Sequence, residues 1–242
     1  MAQRFSQLRF HRSGFSPLRF ASLPATKTLP PPPSPYEDLF EYTLVDPFDH
    51  ITVAGERAIG SDWLSAGHSA QLYKDFGADY FDPGCGWEIR FEIRVTNVDD
   101  LEYVEEAPAL CVLRNNTSAL VDDHGNLGIV YVQLYVYHEG EEDSISLSAN
   151  GARNGWTQEF GDSVDIDKDV TYYCSWKYGP GEGQITLQVY SDENRSVLVG
   201  VSSFIHSGYA SLKYRYHQAI GKMWDSGGAM GFWIERVEVK AT

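Results

Sequence analysis

Trp87-Glu88-Ile89-Arg90-Phe91-Glu92-Ile93-Arg94-Val95 alternates without a break, apolar at the odd positions and charged at the even ones. A period of two places every apolar side chain on one face of an extended strand; at the 3.6 period of a helix the same residues would scatter around the axis. The pattern recurs. Between Ile129 and Tyr137, Val130, Val132, Leu134 and Val136 alternate with Tyr131, Gln133, Tyr135 and Tyr137. Ile145 to Ala149, Val170 to Tyr178, Gln184 to Tyr190 and Phe232 to Val239 repeat it. Turn clusters separate the runs: Asp82-Pro83-Gly84, Asp123-His124-Gly125-Asn126, Gly179-Pro180-Gly181-Glu182-Gly183 and Asp192-Glu193-Asn194. No segment carries a long amphipathic helix. Many antiparallel strands with one apolar face each need two sheets packed face to face, so the expected fold is an all-β antiparallel sandwich over residues 37–242.

The N-terminus is different. The first 36 residues hold five basic side chains and no acidic one, whereas the other 206 hold 14 basic and 34 acidic. The formal charge is therefore +5 for the arm and −20 for the body. Phenylalanine recurs every fifth residue at Phe5, Phe10, Phe15 and Phe20, three times after an arginine (Arg4, Arg9 and Arg19). Exposed rings at this density would be a liability for a free monomer, so residues 1–28 read as an extended assembly arm that buries its rings against neighbouring subunits. Residues 29–36 contain four consecutive prolines, Pro30 to Pro33, and form a stiff linker. The protein is expected to be oligomeric. An acidic body argues against nucleic acid as a partner, since phosphate neutralisation drives such binding. No apolar run reaches the ~18 residues of a membrane span.

Cys85, Cys111 and Cys174 are widely spaced and form neither a disulfide framework nor a zinc motif; they read as small buried hydrophobes. The N-terminus lacks a secretory apolar core. Its Arg, Ser and Phe content is similar to that of a mitochondrial presequence, an alternative location, although Gly14 and Pro17 interrupt any amphipathic helix. The sequons at Asn115, Asn116 and Asn194 matter only in a secretory lumen.

Several segments resemble the concanavalin A-like lectin/glucanase superfamily in its laminin-G-like, phage and environmental form. They are Tyr42-Thr43-Leu44-Val45-Asp46-Pro47 with Ile51-Thr52-Val53, Tyr73 to Phe81, Trp87 to Val95, Asp169-Val170-Thr171-Tyr172-Tyr173 and Gly231 to Val239. The resemblance covers most of residues 40–240 and implies a two-sheet jelly roll with a glycan or protein on its concave face or rim. The arm lies outside it.

No catalytic set emerges from the residues. Glucanases of the superfamily carry Glu-x-Asp-x-x-Glu on one strand. The nearest match here, Glu88-x-x-x-Glu92, spaces its carboxyls by about 13 Å, too far for the ~5–5.5 Å of retaining or ~6.5–9.5 Å of inverting hydrolysis. Arg90-Phe91-Glu92-Ile93-Arg94 is similar to a strand of jelly-roll polysaccharide lyases, but their companion Gln-x-His is missing. The row reads instead as a charge-paired polar face. Asp162, Asp165, Asp167 and Asp169 form an acidic run that fails as an EF-hand, with Val170 at the sixth position and Trp176 at the twelfth. No metal site is assigned. Structural calcium is the one cofactor the run leaves open.

Aromatic rings cover the apolar face of a sugar while polar groups fix its hydroxyls. Tyr131, Tyr135 and Tyr137 share the strand face opposite the core, and Trp156 and Trp224 sit in Gly-, Ser- and Asn-rich loops. These five are the expected glycan or partner contacts, while Trp176 is assigned to the core. The expected function is a non-enzymatic structural and interaction protein of a virion or extracellular surface assembly, anchored by its arm, with glycan affinity in the sandwich. The alternative is a carbohydrate-active enzyme, a glycoside hydrolase or polysaccharide lyase of the same fold.

Overall fold

The structure, a computed structural model, describes residues 41–45, 51–60, 71–78, 80–98, 109–115, 128–139, 142–153, 157–180, 183–205, 213–221 and 230–241. The arm with Arg4, Phe5, Arg9, Phe10, Phe15, Arg19 and Phe20, the proline linker, Trp156 and Trp224 lie outside the described residues.

Fifteen strands occur among the described residues: β1 (Thr43–Val45), β2 (Ile51–Ala54), β3 (Arg57–Gly60), β4 (Gln71–Asp75), β5 (Trp87–Asn97), β6 (Ala109–Arg114), β7 (Ile129–Glu139) and β8 (Glu142–Arg153). They continue as β9 (Thr157–Phe160), β10 (Val164–Ile166), β11 (Tyr172–Tyr178), β12 (Gln184–Tyr190), β13 (Leu198–Ile205), β14 (Tyr216–Gly221) and β15 (Gly231–Ala241). The first sheet runs β1-β4-β14-β6-β7-β8-β10, with β9 also paired to β8. The second runs β13-β12-β11-β5-β15-β3-β2. Every pairing is antiparallel, and the two sheets form the expected jelly-roll sandwich.

The alternating strand β5 occupies the middle of the second sheet, where its two faces have the most to do. Ile89 stands opposite Trp176 and Val239, and Ile93 opposite Tyr172 and Ile234, so each apolar position meets apolar partners on both flanks. Trp87 and Trp176 pack edge to face with centroids 4.6 Å apart, and Tyr178 stacks on Trp87 at 6.3 Å. Trp176 is fully buried, as its assignment to the core requires.

Strand β6 shows why alternation fails locally. All six of its residues are buried. Leu110 pairs with Val132 and Leu113 with Val130, so Cys111 and Val112 together oppose one residue, Tyr131. Cys111 takes φ 51° at this bulge. The extra residue returns Leu113 to the core face and turns Val112 to the other. Cys111 and Cys174 are buried, and burial pushes both thiols up, leaving them unreactive at neutral pH. Cys85 departs from expectation and is exposed. It sits in the turn pinned by Asp82, whose carbonyl accepts from Cys85 N at 3.0 Å and whose Oδ1 accepts from Gly84 N at 2.7 Å.

Candidate functional site

The first sheet has a second, polar face. Strand β7 sends Val130, Val132, Leu134 and Val136 into the core, so Tyr131, Gln133 and Tyr135 point the other way. Their partners on β8 are Asn150, Ser148 and Ser146 in that order. The polar half of β8, Ser144-x-Ser146-x-Ser148-x-Asn150, thus forms a row of hydroxyls ending in an amide.

Asn150 organises this face. Its Nδ2 donates to Gln133 Oε1 at 2.8 Å and to Tyr135 Oη at 3.1 Å, and its Oδ1 accepts from Ser148 Oγ at 3.1 Å. The amide is wholly buried, so these bonds hold the Tyr135 ring in place at low conformational cost. A second buried cluster lies on the same face across β4, β6 and β14: Arg114 Nη1 donates to Gln218 Oε1 at 3.0 Å, and Gln218 in turn donates to Gln71.

Beside Asn150 the face opens into a cleft of about 430 Å³. Tyr135 and Phe160 supply its aromatic surfaces, and Phe160 is 54% exposed. Ser144, Ser146, Ser148 and Ser163 add hydroxyls, Asp165 adds a carboxylate, and Gly161 leaves room between them. The set can lay a ring against a sugar and hold its hydroxyls.

Of the residues expected at a contact surface, Tyr135 lines this cleft. Tyr131 must be corrected: it is fully buried, because Ala109, Val112, Ile129 and Ala152 gather around its ring as a satellite apolar cluster. Tyr137 lies on the same face of β7 by register, opposite Ser144. Phe160, Asn150 and the serines were missed. The Ser-x-Ser-x-Ser-x-Asn spacing stands in the sequence, but alternation by itself marks only the apolar half of the strand.

The acidic run divides. Asp165 lines the cleft, the Asp167 carboxylate accepts from Tyr172 Oη at 3.1 Å, and Asp169 pairs with Arg94 at 3.2 Å. Among the described residues no three acidic, histidine or cysteine side chains converge as metal ligands.

The outer face of the second sheet is charge-paired. Glu88 accepts from Arg90 at 2.8 Å and from Ser175 at 2.9 Å, and Arg236 reaches Glu92 at 3.0 Å and Glu193 at 2.7 Å. Burial pushes the Glu88 carboxyl up, but the bonds from Arg90 and Ser175 outweigh it and hold it below the usual range. Burial raises Glu92 and Glu238. Both carboxyls stand on a sheet surface away from the cleft, which separates them from its residues. Trp233, on this face, carries the Arg57 guanidinium 4.3 Å above its ring.

No family model matches the chain, and no curated protein matches it significantly in sequence. Solved structures do. The VIP36 exoplasmic/lumenal domain in its Ca2+- and mannose-bound form aligns at 11% identity and TM-score 0.51, over 86% of this chain and 94% of that one. The alginate lyase AlyA1 of Zobellia galactanivorans aligns at 14% identity and TM-score 0.46, over 81% of each chain. The CBM2 module of the evolved Dit of Lactobacillus casei BL23 phage J-1 aligns at 10% identity and TM-score 0.46, over 79% of this chain and 81% of that one. At 11% identity the likeness to the VIP36 domain is one of fold. No helix among the described residues is long and apolar enough to cross a membrane.

Proposed function

We propose that the protein is a non-enzymatic subunit of a virion or extracellular surface assembly, docked on its neighbours by the basic arm and binding glycans in the cleft of the first sheet. One observation carries the glycan reading: a ring fixed by a buried amide, a half-exposed second ring and a row of hydroxyls line one open cleft. The fold supports it only as a scaffold on which glycan sites occur. The charge and aromatic spacing of residues 1–28 support the docking role.

On a glycan array, binding is expected to fall about tenfold or more for Tyr135→Ala and for Phe160→Ala, as loss of one stacked ring requires, with unchanged circular dichroism. An array that stays silent with folded protein, or binding indifferent to both changes, overturns the cleft assignment.

A carbohydrate-active enzyme would need an acid–base pair facing one bound sugar. Among the described residues the carboxylate lining the cleft is Asp165, and Glu88 and Glu92 belong to the ion-paired face of the other sheet. No hydrolysis or elimination is therefore expected on a broad polysaccharide panel. Turnover abolished by Asp165→Asn, Glu88→Gln or Glu92→Gln reverses this and makes the protein an enzyme.

A further inference from the structure

Among the described residues the most apolar exposed segment lies at the edge of the second sheet. Strand β13 pairs with β12 on one side, and among the described residues no other strand of its sheet pairs with it. Val197, Leu198, Val199, Val201 and Ile205 are between 42% and 69% exposed. No charged residue or proline interrupts Val197 to Ile205. Edges are ordinarily guarded by lysine, proline or a bulge. The irregularity opposite Tyr190 lies at one end of β13, so Gly200 to Ile205 stays regular and unguarded. Asp192 also fixes the approach to the strand, its Oδ1 accepting from Ser196 N at 2.9 Å and Val197 N at 2.6 Å. A rigid, apolar, ungated edge is a template for another strand.

We infer that a second copy of this chain covers it, β13 pairing antiparallel with β13 across a two-fold axis. The charge distribution admits this partner. Copies of a chain with formal charge −15 repel one another, and an uninterrupted uncharged strand is where they approach without opposing ion to ion. The strand is also self-complementary. Ser202 and Phe204 turn into the sandwich, leaving Val201, Ser203 and Ile205 as the outward row. Pairing centred on Ser203 sets Ser203 against Ser203 at the axis and Val201 against Ile205 on both sides of it, two identical apolar cross-strand pairs. The two seven-stranded sheets then become one of fourteen strands.

The interface also orients the clefts. A side chain at Gly161 would meet Ser203 N at 2.8 Å, and one at Gly200 would meet Val164 at 2.7 Å, so the segment from β9 to β10 lies directly on β13. Phe160, Ser163 and Asp165 of the cleft belong to that segment. The dimer sets two such segments beside one axis, which suits a clustered ligand. That consequence rests on the glycan reading; the dimer itself does not.

Sedimentation of the full chain tests the interface. The intact chain is expected to be a dimer at micromolar concentration. Val201→Lys and Ile205→Lys each raise the dissociation constant by about 100-fold, since each strands an ammonium group against apolar partners. In the double variant Val201→Lys/Ile205→Glu every lysine faces a glutamate of the other copy, and dimerisation returns to within about tenfold of the intact chain. If a lysine variant fails to fold, Ser203→Cys serves instead, forming an intermolecular disulfide with oxidised glutathione, because directly opposed residues lie within bridging distance. A monomer throughout, a dimer indifferent to both lysines, or no recovery in the double variant overturns the proposal. So does dissociation on changing Phe5, Phe10, Phe15 and Phe20 together to serine, which would make the arm the occupant of the edge.

Discussion

Removing residues 1–28 is expected to abolish incorporation into any larger assembly while the sandwich stays folded and its β13 dimer persists. The two effects separate because they draw on different surfaces. Ser34–Thr242 is a compact unit by its own contacts, and the cores that hold it, around Trp87 and Trp176 and around Tyr131, lie within that unit. The arm brings what the body lacks. On the proposed docking role, its +5 against −20 would draw it to the bodies of neighbouring copies, and its arginines would add specificity and speed more than affinity. Burying four phenylalanine rings at about 1.5–3 kcal/mol each gives ample gross driving force, even after the cost of ordering the segment. Light scattering and electron microscopy of intact and truncated protein, with thermal unfolding of both, make the check. Normal incorporation of the truncated chain would end the arm hypothesis. Cooperative unfolding lost on truncation would show the arm to be part of the sandwich instead.

Fold was legible where one face of a strand meets the core and the other meets water. Strands β5, β7, β8, β11 and β12 follow the two-residue period, and β15 follows it on either side of a bulge at Arg236, where its phase shifts. Elsewhere the period is hidden for physical reasons. Strand β6 is apolar on both faces because a satellite cluster covers its second face, and a bulge breaks its phase. In β14 the polar residues His217 and Gln218 are both buried, one toward the core and one on the polar face, so hydropathy is blind to its orientation. The site was half legible for the same reason. Alternation located Tyr135 on the polar face but assigned Tyr131 there as exposed, since sequence spacing does not record that Ala109 and Ala152 flank it. Phe160 was out of reach: it contacts the cleft through the pairing of β9 with β8, a relation between strands and not a local pattern. Trp233 has the aromatic character sought in Trp156 and Trp224, yet the guanidinium stacked on it marks it as part of the ion-paired face.

Acid is expected to unfold the protein through His217. Its ring is fully buried, with Nδ1 sharing a proton with Tyr42 Oη at 2.8 Å and Nε2 lacking a hydrogen-bond partner. Placing the proton on Nδ1 leaves only a lone pair at Nε2 to be buried unpaired, whereas protonating the ring would bury an unpaired N–H and a charge. Burial accordingly holds the imidazole at about 3, far below its ordinary 6.5. The unfolded chain takes up this proton near pH 6.5, and the folded chain does so only near pH 3. The contribution is thus intact above pH 6.5 and is lost as pH falls between those values, at about 1.4 kcal/mol per pH unit, or about 4–5 kcal/mol in all. That is a large share of a domain's stability. Glu92 and Glu238, raised by burial, act in the opposite sense and favour the folded chain as they protonate. Asp75, Asp82, Asp192 and Glu88, all held low by hydrogen bonds, add their losses only below the ordinary carboxylate range. Between about pH 6.5 and 5 the histidine therefore dominates. Urea unfolding of intact protein and His217→Gln across that window isolates it, because glutamine retains a partner for Tyr42 and does not titrate. The intact protein should lose about 1.4 kcal/mol per unit and the variant nearly none. Parallel slopes in the two would mean that His217 is protonated inside the fold.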